Sequence, residues 1–319
     1  MSERVRVKKR KKKKSKVLKW VLGIIGVFLL LGGVFAFYVF KQVTDTAKEI
    51  HEPIVDRPVS EKREEGKHVE VEKGQPFSVL VLGVDEREGD AGRSDTMIVM
   101  TVNPNTNSSK MVSIPRDTYT EIVGRGIQDK INHSYAFGGV KMAMDTTENL
   151  LDIPIDYVVQ VNMESFKDIV DAVGGITVNN TLNFTEAGFT YPEGKISLTG
   201  EEALAYVRMR KQDPNGDFGR QDRQKQVIQG VIREGMSVNS VLKLNAILDS
   251  VGENVRTNMA YNEMVDVQSN YRSAAGQIDQ LYFERGTGDT INGIWYYIMN
   301  EEELASVKNE LKTHLELEG

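Results

Sequence analysis

Two aspartates stand at opposite ends of one loop in the segment GVDEREGDAGRSDTM. Asp85 follows directly after an apolar run, and Asp95 comes just before the next one. If these runs are neighbouring strands, the two carboxylates meet, and they repel each other unless a cation lies between them. Mg²⁺ commonly takes one or two carboxylates and completes its shell with waters and phosphate oxygens. The spacing therefore predicts a divalent-metal site; in the alternative, the aspartates cap turns or pair with Arg87 and Arg93.

A second motif, SIPRDT, places Arg116 and Asp117 directly after an apolar run and Pro115. Side chains that leave the end of a strand are commonly used to build functional sites. Taken alone, however, neighbouring arginine and aspartate usually form an exposed ion pair. The motif therefore indicates a site only in combination with others.

A run of arginines follows further along the chain. A helix that begins near Gly219 places Arg220 and Gln224 on the same core-facing stripe as Val227 and Val231. A cation in the first turn opposes the positive end of the helix dipole, so a nearby anion explains Arg220 better than helix stability does. Because helix N-termini and guanidinium groups both bind phosphate, we expect a phosphate or pyrophosphate ligand, the alternative being solvated surface charges. The run holds four arginines within 16 residues: Arg208, Arg210, Arg220 and Arg223.

Other catalytic signatures are weak or missing. His133 stands alone beside a turn, where a histidine is more often structural than catalytic. The sequence has no Walker loop, no G-x-S-x-G elbow and no H-E-x-x-H helix, so nucleotide hydrolysis, serine hydrolase chemistry and zinc protease chemistry lack support. With no cysteine, disulfide scaffolds, thiolate metal sites and cysteine nucleophiles are excluded.

Short apolar runs alternate with helical patterns along the part of the chain that carries these motifs. This order predicts an α/β fold, one domain with a central mixed sheet covered by helices. A capping box of Thr199 and Glu202 marks a helix start ahead of the arginine run. The predicted strands are 77–83, 97–102, 110–114 and 155–161, and the predicted helices are 140–151, 164–173, 220–235, 240–250, 261–272 and 301–316.

The charges of the 319 residues are unevenly distributed. Residues 1–19 hold 11 Lys and Arg against one Glu, whereas the remaining 300 residues hold 29 Lys and Arg against 45 Asp and Glu, a net charge of −16. A DNA-binding protein needs its positive charge on the folded domain that meets the phosphates. The distribution therefore argues against nucleic acid as a partner.

A membrane anchor is predicted at residues 17–40, where Lys19 is the only charge in 24 residues. The basic tail at 1–16 indicates a cytoplasmic N-terminus and an extracellular C-terminal part. A cleaved signal peptide is the alternative, but its apolar region would be shorter and no small-x-small site follows Ala36. Residues 41–75 are interpreted as a juxtamembrane spacer, and residues 76–319 as one extracytoplasmic domain.

Taken together and in this order, the motifs resemble the LytR-CpsA-Psr family. The resemblance rests on the basic tail, the anchor, VLGVDER, GRSDTM, SIPRDT, KINHSYAFGG, RMR and DFGRQDRQ, and it is strong over residues 76–235. It implies a phosphotransferase in the cell membrane of a Gram-positive type envelope. Such an enzyme transfers a phosphate-linked glycopolymer, for example wall teichoic acid, from a polyprenyl-pyrophosphate lipid carrier to a peptidoglycan hydroxyl.

The resemblance also implies roles for individual residues. Asp85 and Asp95 would hold Mg²⁺ or Mn²⁺ and, with Arg116, serve catalysis. No departure from the family motif is apparent at the first-rank positions. The residues implied around the pyrophosphate are Arg93, Arg116, Arg208, Arg210, Arg220 and Gln224, with Arg87, Arg223, Asp217 and Lys130 as second-rank candidates.

Two other functions would use the same residues. A non-catalytic wall protein would only hold an anionic glycopolymer on its arginines. A lipid-pyrophosphate hydrolase would give the phosphoryl group to water, and only analysis of the products separates it from a transferase.

Overall fold

The computed structural model describes residues 59–63, 67–85, 92–237 and 255–317, apart from the side chains of Asp85, Arg93 and Ser237. Within these ranges no helix is long and apolar enough to cross a bilayer. The predicted anchor at 17–40, the predicted helix at 240–250 and Arg87 lie outside the described residues.

The described chain alternates strands and helices throughout. The strands are β1 (Phe77–Asp85), β2 (Arg93–Asn103), β3 (Ser108–Ser113), β4 (Tyr119–Ile122), β5 (Ile127–Lys130), β6 (Tyr157–Val161), β7 (Ile176–Asn180), β8 (Phe184–Glu186), β9 (Phe189–Tyr191), β10 (Gly194–Leu198), β11 (Val255–Thr257), β12 (Ile278–Leu281), β13 (Thr287–Ile291) and β14 (Ile294–Ile298). The helices are α1 (His133–Leu151), α2 (Met163–Ala172), α3 (Gly200–Arg208), α4 (Asp217–Ser237), α5 (Tyr261–Asn270) and α6 (Glu301–His314).

Six of the strands form a central sheet in the order β11-β6-β1-β2-β3-β12. Strands β1 and β6 are parallel, as are β3 and β12, whereas the other neighbours are antiparallel. The sheet is therefore mixed, and the prediction of a mixed sheet in an α/β fold is confirmed. The remaining strands form two-stranded sheets around it: β4 with β5, β7 with β10, β8 with β9, and β13 with β14.

Both faces of the central sheet are covered by helices. Leu80 and Leu82 of β1 join a buried cluster with residues of α1 and α6 on one face. On the other face, Ile98 of β2 belongs to a second buried cluster, against which Ile228 and Ile232 of α4 pack. Because neither face meets water, these strands are almost continuously apolar in sequence.

Helix α4 lies between the sheet and a second buried cluster. Val227 and Val231 of this helix pack with Tyr206 of α3 and Ile176 of β7, while Ile228 and Ile232 face the sheet. Apolar side chains on two sides fix the rotation of the helix about its own axis. The first turn of α4, which carries Arg220, is thereby held in one orientation.

The ordered structure begins before Pro76, within the segment interpreted as a spacer. Arg63 forms an ion pair with Asp156 (Nη2 to Oδ2, 2.7 Å), and both side chains are largely buried. Val69 and Val71 join a buried cluster with Phe77. At least residues 59–63 and 67–75 therefore belong structurally to the folded domain.

Candidate phosphate-binding site

Asp95 occupies an irregular position in the pairing of β1 with β2. Gly83 lies opposite Thr96 and Val84 lies opposite Ser94, so Asp95 is the extra residue of a β-bulge. A bulge re-aims the side chain that it carries and is frequent beside active sites. At the same end of the pair, the backbone of Asp85 lies opposite that of Arg93. The predicted juxtaposition of Asp85 with the Asp95 segment is therefore present in the backbone.

Arg116 is held by a tight turn at the end of β3. The amide of Thr118 donates to the carbonyl of Pro115 (3.0 Å), and the Thr118 hydroxyl donates to the same oxygen (2.7 Å). Arg116 and Asp117 are the two central residues of this turn, and the backbone of Pro115, which precedes them, is restricted by its ring. Arg116 then points to the bulge, where its Nη1 donates to Asp95 Oδ1 at 2.8 Å.

Arg116 prefers Asp95 to its neighbour in sequence. Its Nε lies 3.6 Å from Asp117 Oδ2, beyond hydrogen-bond distance, while Lys130 Nζ contacts Asp117 Oδ1 at 2.6 Å. Burial acts to lower the pKa of Arg116, but the charge and hydrogen bond of Asp95, followed by the charges of Asp117 and Asp217, outweigh it and raise that pKa. Arg116 and Asp117 thus do form an ion pair, but it is half-buried and is part of a larger cluster with Asp95 and Lys130.

Arg220 lies in the first turn of α4, close to the same charges. Only 15% of its side chain is exposed. Burial is the main cause that lowers the pKa of Arg220, and the positive charges of Arg116 and Arg210 act in the same direction. Asp217 and Asp95 oppose this shift without cancelling it. Arg220 is thus a buried cation beside other cations, an environment that a bound anion would relieve.

Asp217 is the anionic partner of Arg220 within the protein, but it leaves part of the guanidinium without a hydrogen bond. Arg220 Nη2 lies 2.7 Å from Asp217 Oδ1, and Arg210 Nε lies 3.9 Å from the same oxygen. Yet Asp217 Oδ1 and Arg220 Nε are both buried and have no hydrogen-bond partner among the residues described. The close contact is therefore an ion pair without good hydrogen-bond geometry, and one guanidinium donor remains to be satisfied. Helix α4 begins at Asp217 rather than near Gly219, which brings this carboxylate into its first turn.

Arg223 has a different use from the one that the resemblance implies. Its Nε donates to the carbonyl of Tyr206 at 3.1 Å, its Nη2 donates to the carbonyl of Met209, and its Nη1 contacts the Asp213 carboxylate. The side chains of Arg223 and Asp213 are each 6% exposed. Since all three nitrogens of the guanidinium are engaged in this buried network, Arg223 ties the loop between α3 and α4 to helix α4 and is not presented to a ligand.

The remaining predicted residues lie around this cluster. Arg208, the last residue of α3, and Arg210, in the following loop, are exposed, whereas Gln224 is half-buried one turn after Arg220. The side chains of Asp85 and Arg93, and the whole of Arg87, lie outside the described residues. The residues that the structure brings together are Asp95, Arg116, Asp117, Lys130, Arg210, Asp217 and Arg220.

His133 has a structural partner. Its Nδ1 lies 2.8 Å from Asp129 Oδ2, and its ring meets Phe137 edge-on at a centroid distance of 5.9 Å. The contact with His133 is the main cause that lowers the pKa of Asp129, against the opposing effect of burial. These contacts agree with the interpretation of His133 as a structural residue.

Comparison with known proteins identifies the family. Residues 37–313 match the model of the LytR_cpsA_psr family. The chain belongs to the LytR-CpsA-Psr family. A relative from Bacillus subtilis (strain 168), named polyisoprenyl-teichoic acid–peptidoglycan teichoic acid transferase TagU, is 53% identical over 307 residues, which cover 96% of this chain and 98% of that relative.

Two solved structures share the fold. A protein from Enterococcus faecalis, described as a transcriptional regulator, superposes with a TM-score of 0.72 at 44% identity and covers 78% of this chain and 91% of its own. A structure described as TagT bound to LIIa-WTA superposes with a TM-score of 0.71 at 31% identity and covers 83% of this chain and 100% of its own. The prediction of family membership is therefore confirmed.

Two buried charged residues near the candidate site were missed from sequence. Asp213 forms the buried pair with Arg223. Its carboxylate lies so close to Gly219 that a Cβ added there would be 2.0 Å from Asp213 Oδ2. Lys225 is 1% exposed although it stands in a polar helical stretch. The one available signal for the first of these is Gly219 itself, because a glycine inside a helix often marks a close approach.

Proposed function

We propose that this protein transfers a phosphate-linked glycopolymer, such as wall teichoic acid, from a polyprenyl-pyrophosphate carrier to a hydroxyl of peptidoglycan. The observation that carries the proposal is the gathering of Arg116, Arg210 and Arg220 with Asp95 at one end of the sheet. The chain that carries this cluster is 53% identical to a relative named as a teichoic acid transferase. Guanidinium groups bind phosphate oxygens in bidentate fashion, and several of them together match a pyrophosphate.

The reaction follows from what the residues can hold. Arg116 and Arg220 bind the pyrophosphate oxygens and offset their charge, while the bulge at Asp95 fixes the orientation of Arg116. The sugar hydroxyl of the acceptor forms a bond to the phosphorus nearer the glycopolymer, and the bond from that phosphorus to the bridging oxygen breaks. Polyprenyl phosphate leaves with the electron pair of the broken bond, and the proton of the attacking hydroxyl passes to the solvent. Phosphoryl transfer depends mainly on such positioning and charge neutralisation.

A divalent cation fits the chemistry of the donor groups. Asp95 presents a carboxylate that is 40% exposed, with one oxygen bonded to Arg116, and Asp85 is placed nearby by the strand register. Carboxylate and phosphate oxygens are the ligands that Mg²⁺ prefers, and Mn²⁺ accepts the same set. We therefore propose that Asp85 and Asp95 hold the metal, which when bound would neutralise charge on the phosphate oxygens.

We also propose that residues 17–40 anchor the protein in the cell membrane, with the domain on the extracellular side. A polyprenyl donor stays in the bilayer, so a tethered enzyme meets it at a raised effective concentration. The net charge of −16 beyond residue 19 disfavours nucleic acid as a partner.

The test uses the full-length chain in detergent micelles, a synthetic polyprenyl-pyrophosphate glycan donor and peptidoglycan fragments. We expect a phosphodiester-linked glycan on the peptidoglycan by mass spectrometry, with Mg²⁺ required and chelation abolishing the product. Arg220→Ala should weaken donor binding, whereas Arg233→Ala, at an exposed position of the same helix, should not.

Two results would contradict the proposal. Donor binding without any product would indicate a glycopolymer-binding protein. Free glycan phosphate formed regardless of the acceptor would indicate a lipid-pyrophosphate hydrolase.

A further inference from the structure

Asp217, the first residue of α4, lies among the arginines that we assign to the donor pyrophosphate. Its Oδ1 is 2.7 Å from Arg220 Nη2 and 3.9 Å from Arg210 Nε. The charge of Asp217 also contributes to raising the pKa of Arg116. The carboxylate therefore lies close to the same cations that a bound phosphate would contact.

An aspartate in the first turn of a helix usually has a simple structural role. It stabilises the positive end of the helix dipole, or its oxygens accept from the backbone amides of that turn. Asp217 does not cap α4 in this way. Among the described residues, its Oδ1 has no hydrogen-bond donor, and its Oδ2 accepts from a side chain, Gln221 Nε2, at 3.3 Å. The helix dipole does not explain why a carboxylate oxygen is buried without a donor.

The contact between Asp217 and Arg220 is close but poorly hydrogen-bonded. Asp217 Oδ1 and Arg220 Nε are both buried and both lack a partner within the described part of the chain. At 3.3 Å, the bond from Gln221 is longer than usual as well. Charge therefore holds the carboxylate in place, whereas hydrogen bonds do so only weakly. An anion whose oxygens are better placed can replace it.

A phosphate needs no preformed cavity to make this exchange. One of its oxygens takes the place of Asp217 Oδ1 beside Arg220, and its other oxygens extend toward solvent. The exposed parts of the Asp217 and Arg210 side chains, 27% and 56%, place this side of the cluster at the protein surface. Asp217 stands at the end of its helix, where a change of side-chain rotamer leaves the helix intact.

The charges of the cluster disfavour a site that holds Asp217 and a pyrophosphate together. The described side chains gathered here carry four positive charges against three negative ones. They are Arg116, Lys130, Arg210 and Arg220, and Asp95, Asp117 and Asp217. A site so close to neutrality offers little to an anion while Asp217 remains in it, whereas the arginines regain their attraction when this carboxylate turns away.

From these contacts we infer that Asp217 competes with the donor pyrophosphate for Arg220. Its carboxylate fills the phosphate position in the ligand-free protein and turns away when the donor binds. The inference rests on the proposed function, and it gives Asp217 the opposite effect to the arginines around it. Asp217 lowers the affinity of the site for the donor and for the polyprenyl phosphate product alike, which favours release of the product after transfer.

The test compares pyrophosphate binding by full-length variants in detergent micelles, measured by titration calorimetry in metal-free buffer. Inorganic pyrophosphate is the probe. Asp217→Asn keeps the shape of the side chain and removes its charge, so affinity should rise about tenfold, or about 1.4 kcal/mol. Glu201→Gln is the matched control, because it removes the same charge at an exposed position of α3. Its affinity should match that of the parent chain.

Arg220→Ala defines the part of the binding that belongs to this site. The basic tail at 1–16 also attracts pyrophosphate, but it is the same in every variant, so its contribution remains in Arg220→Ala. The gain in affinity from Asp217→Asn should disappear when it is combined with Arg220→Ala, since the competition is for Arg220.

Thermal unfolding separates competition from a structural role. Asp217→Asn leaves the largely buried Arg220 without its carboxylate, so the ligand-free variant should unfold at a lower temperature than the parent chain. Added pyrophosphate should raise the unfolding temperature more in the variant than in the parent chain, because it binds the variant more tightly. A residue that only held Arg220 in place would, when replaced, lower both stability and affinity.

The outcomes distinguish this inference from the proposed function. Unchanged or weaker pyrophosphate binding in Asp217→Asn, in a chain whose binding depends on Arg220, overturns the competition and leaves the phosphate site in place. Pyrophosphate binding that does not depend on Arg220 in any variant overturns both. Tighter binding in Asp217→Asn, in a chain that forms no transfer product, supports the competition and refutes the transferase.

Discussion

The buried pair of Arg223 and Asp213 offers a stringent test of how the site is held together. Replacement of Arg223 with methionine keeps most of the side-chain volume but leaves the Asp213 carboxylate buried without its cation. Breaking a buried pair in this way costs about 3–5 kcal/mol. The same substitution removes donors from the carbonyls of Tyr206 and Met209, so we expect the loss to lie at the upper end of that range.

The assay is urea unfolding of the full-length chain in detergent micelles, followed by far-UV circular dichroism, with the free energy taken from linear extrapolation. Arg208→Met is the matched control, because Arg208 is exposed at the end of α3 and its replacement should change the free energy of unfolding by less than about 0.5 kcal/mol. Arg208→Met should weaken donor binding instead. A loss below about 1 kcal/mol for Arg223→Met would refute the reasoning, since the network would then not be holding the loop.

Three further changes test other parts of the structure. Asp95→Asn should lower turnover on the order of 100-fold with little change in stability, and a folded variant with full activity would contradict the metal proposal. Gly219→Ala places a Cβ 2.0 Å from the Asp213 carboxylate and should cost about 1–3 kcal/mol in urea unfolding, whereas Gly235→Ala, with its nearest contact at 3.9 Å, should not destabilise. Burial lowers the pKa of His314, so its protonation opposes folding: the free energy of unfolding should fall from about pH 7 to pH 5, and less so in His314→Gln.

Strands and helices that are long and strongly patterned were predictable from the sequence. The apolar run at 77–83 is most of β1, the run at 97–102 lies in the second half of β2, and the helical pattern at 220–235 is most of α4. The short strands β7–β10 were not predicted, because their alternation spans only three to five residues. The hairpin of β13 and β14 was missed although Asn292 and Gly293, both with positive φ, form the favoured two-residue turn between them.

The start of helix α1 was not predicted correctly from the sequence. It begins at His133, seven residues before the predicted start, and is broken at Gly138 and Gly139, where the backbone is not helical. Gly139 has a φ of +62°, a conformation that favours glycine. Two glycines in a row obscured the first segment, because they interrupt the apolar periodicity on which the prediction depends.

The site was predictable as a set of residue types but not as a set of contacts. Asp95 and Arg116 were both singled out, yet their 2.8 Å hydrogen bond depends on the β-bulge, which the sequence does not reveal. Lys225 gave no signal at all, because its burial depends on the ring of Tyr282, 57 residues away. Residue type therefore indicates which chemistry is available, whereas register and long-range packing decide which groups meet.

The arginines of this site differ in what each can still do for a ligand. Arg223 has its donors engaged by the protein and is a positioning residue. Arg116 donates from one nitrogen, Nη1, to Asp95. This hydrogen bond fixes the direction of the guanidinium and leaves its other nitrogens for a ligand. Arg220 retains a buried Nε without a partner among the described groups and has its pKa lowered by burial and by neighbouring cations. An anion bound at this site therefore gains most at Arg220, since there it supplies the missing acceptor for Nε and adds negative charge to that of Asp217.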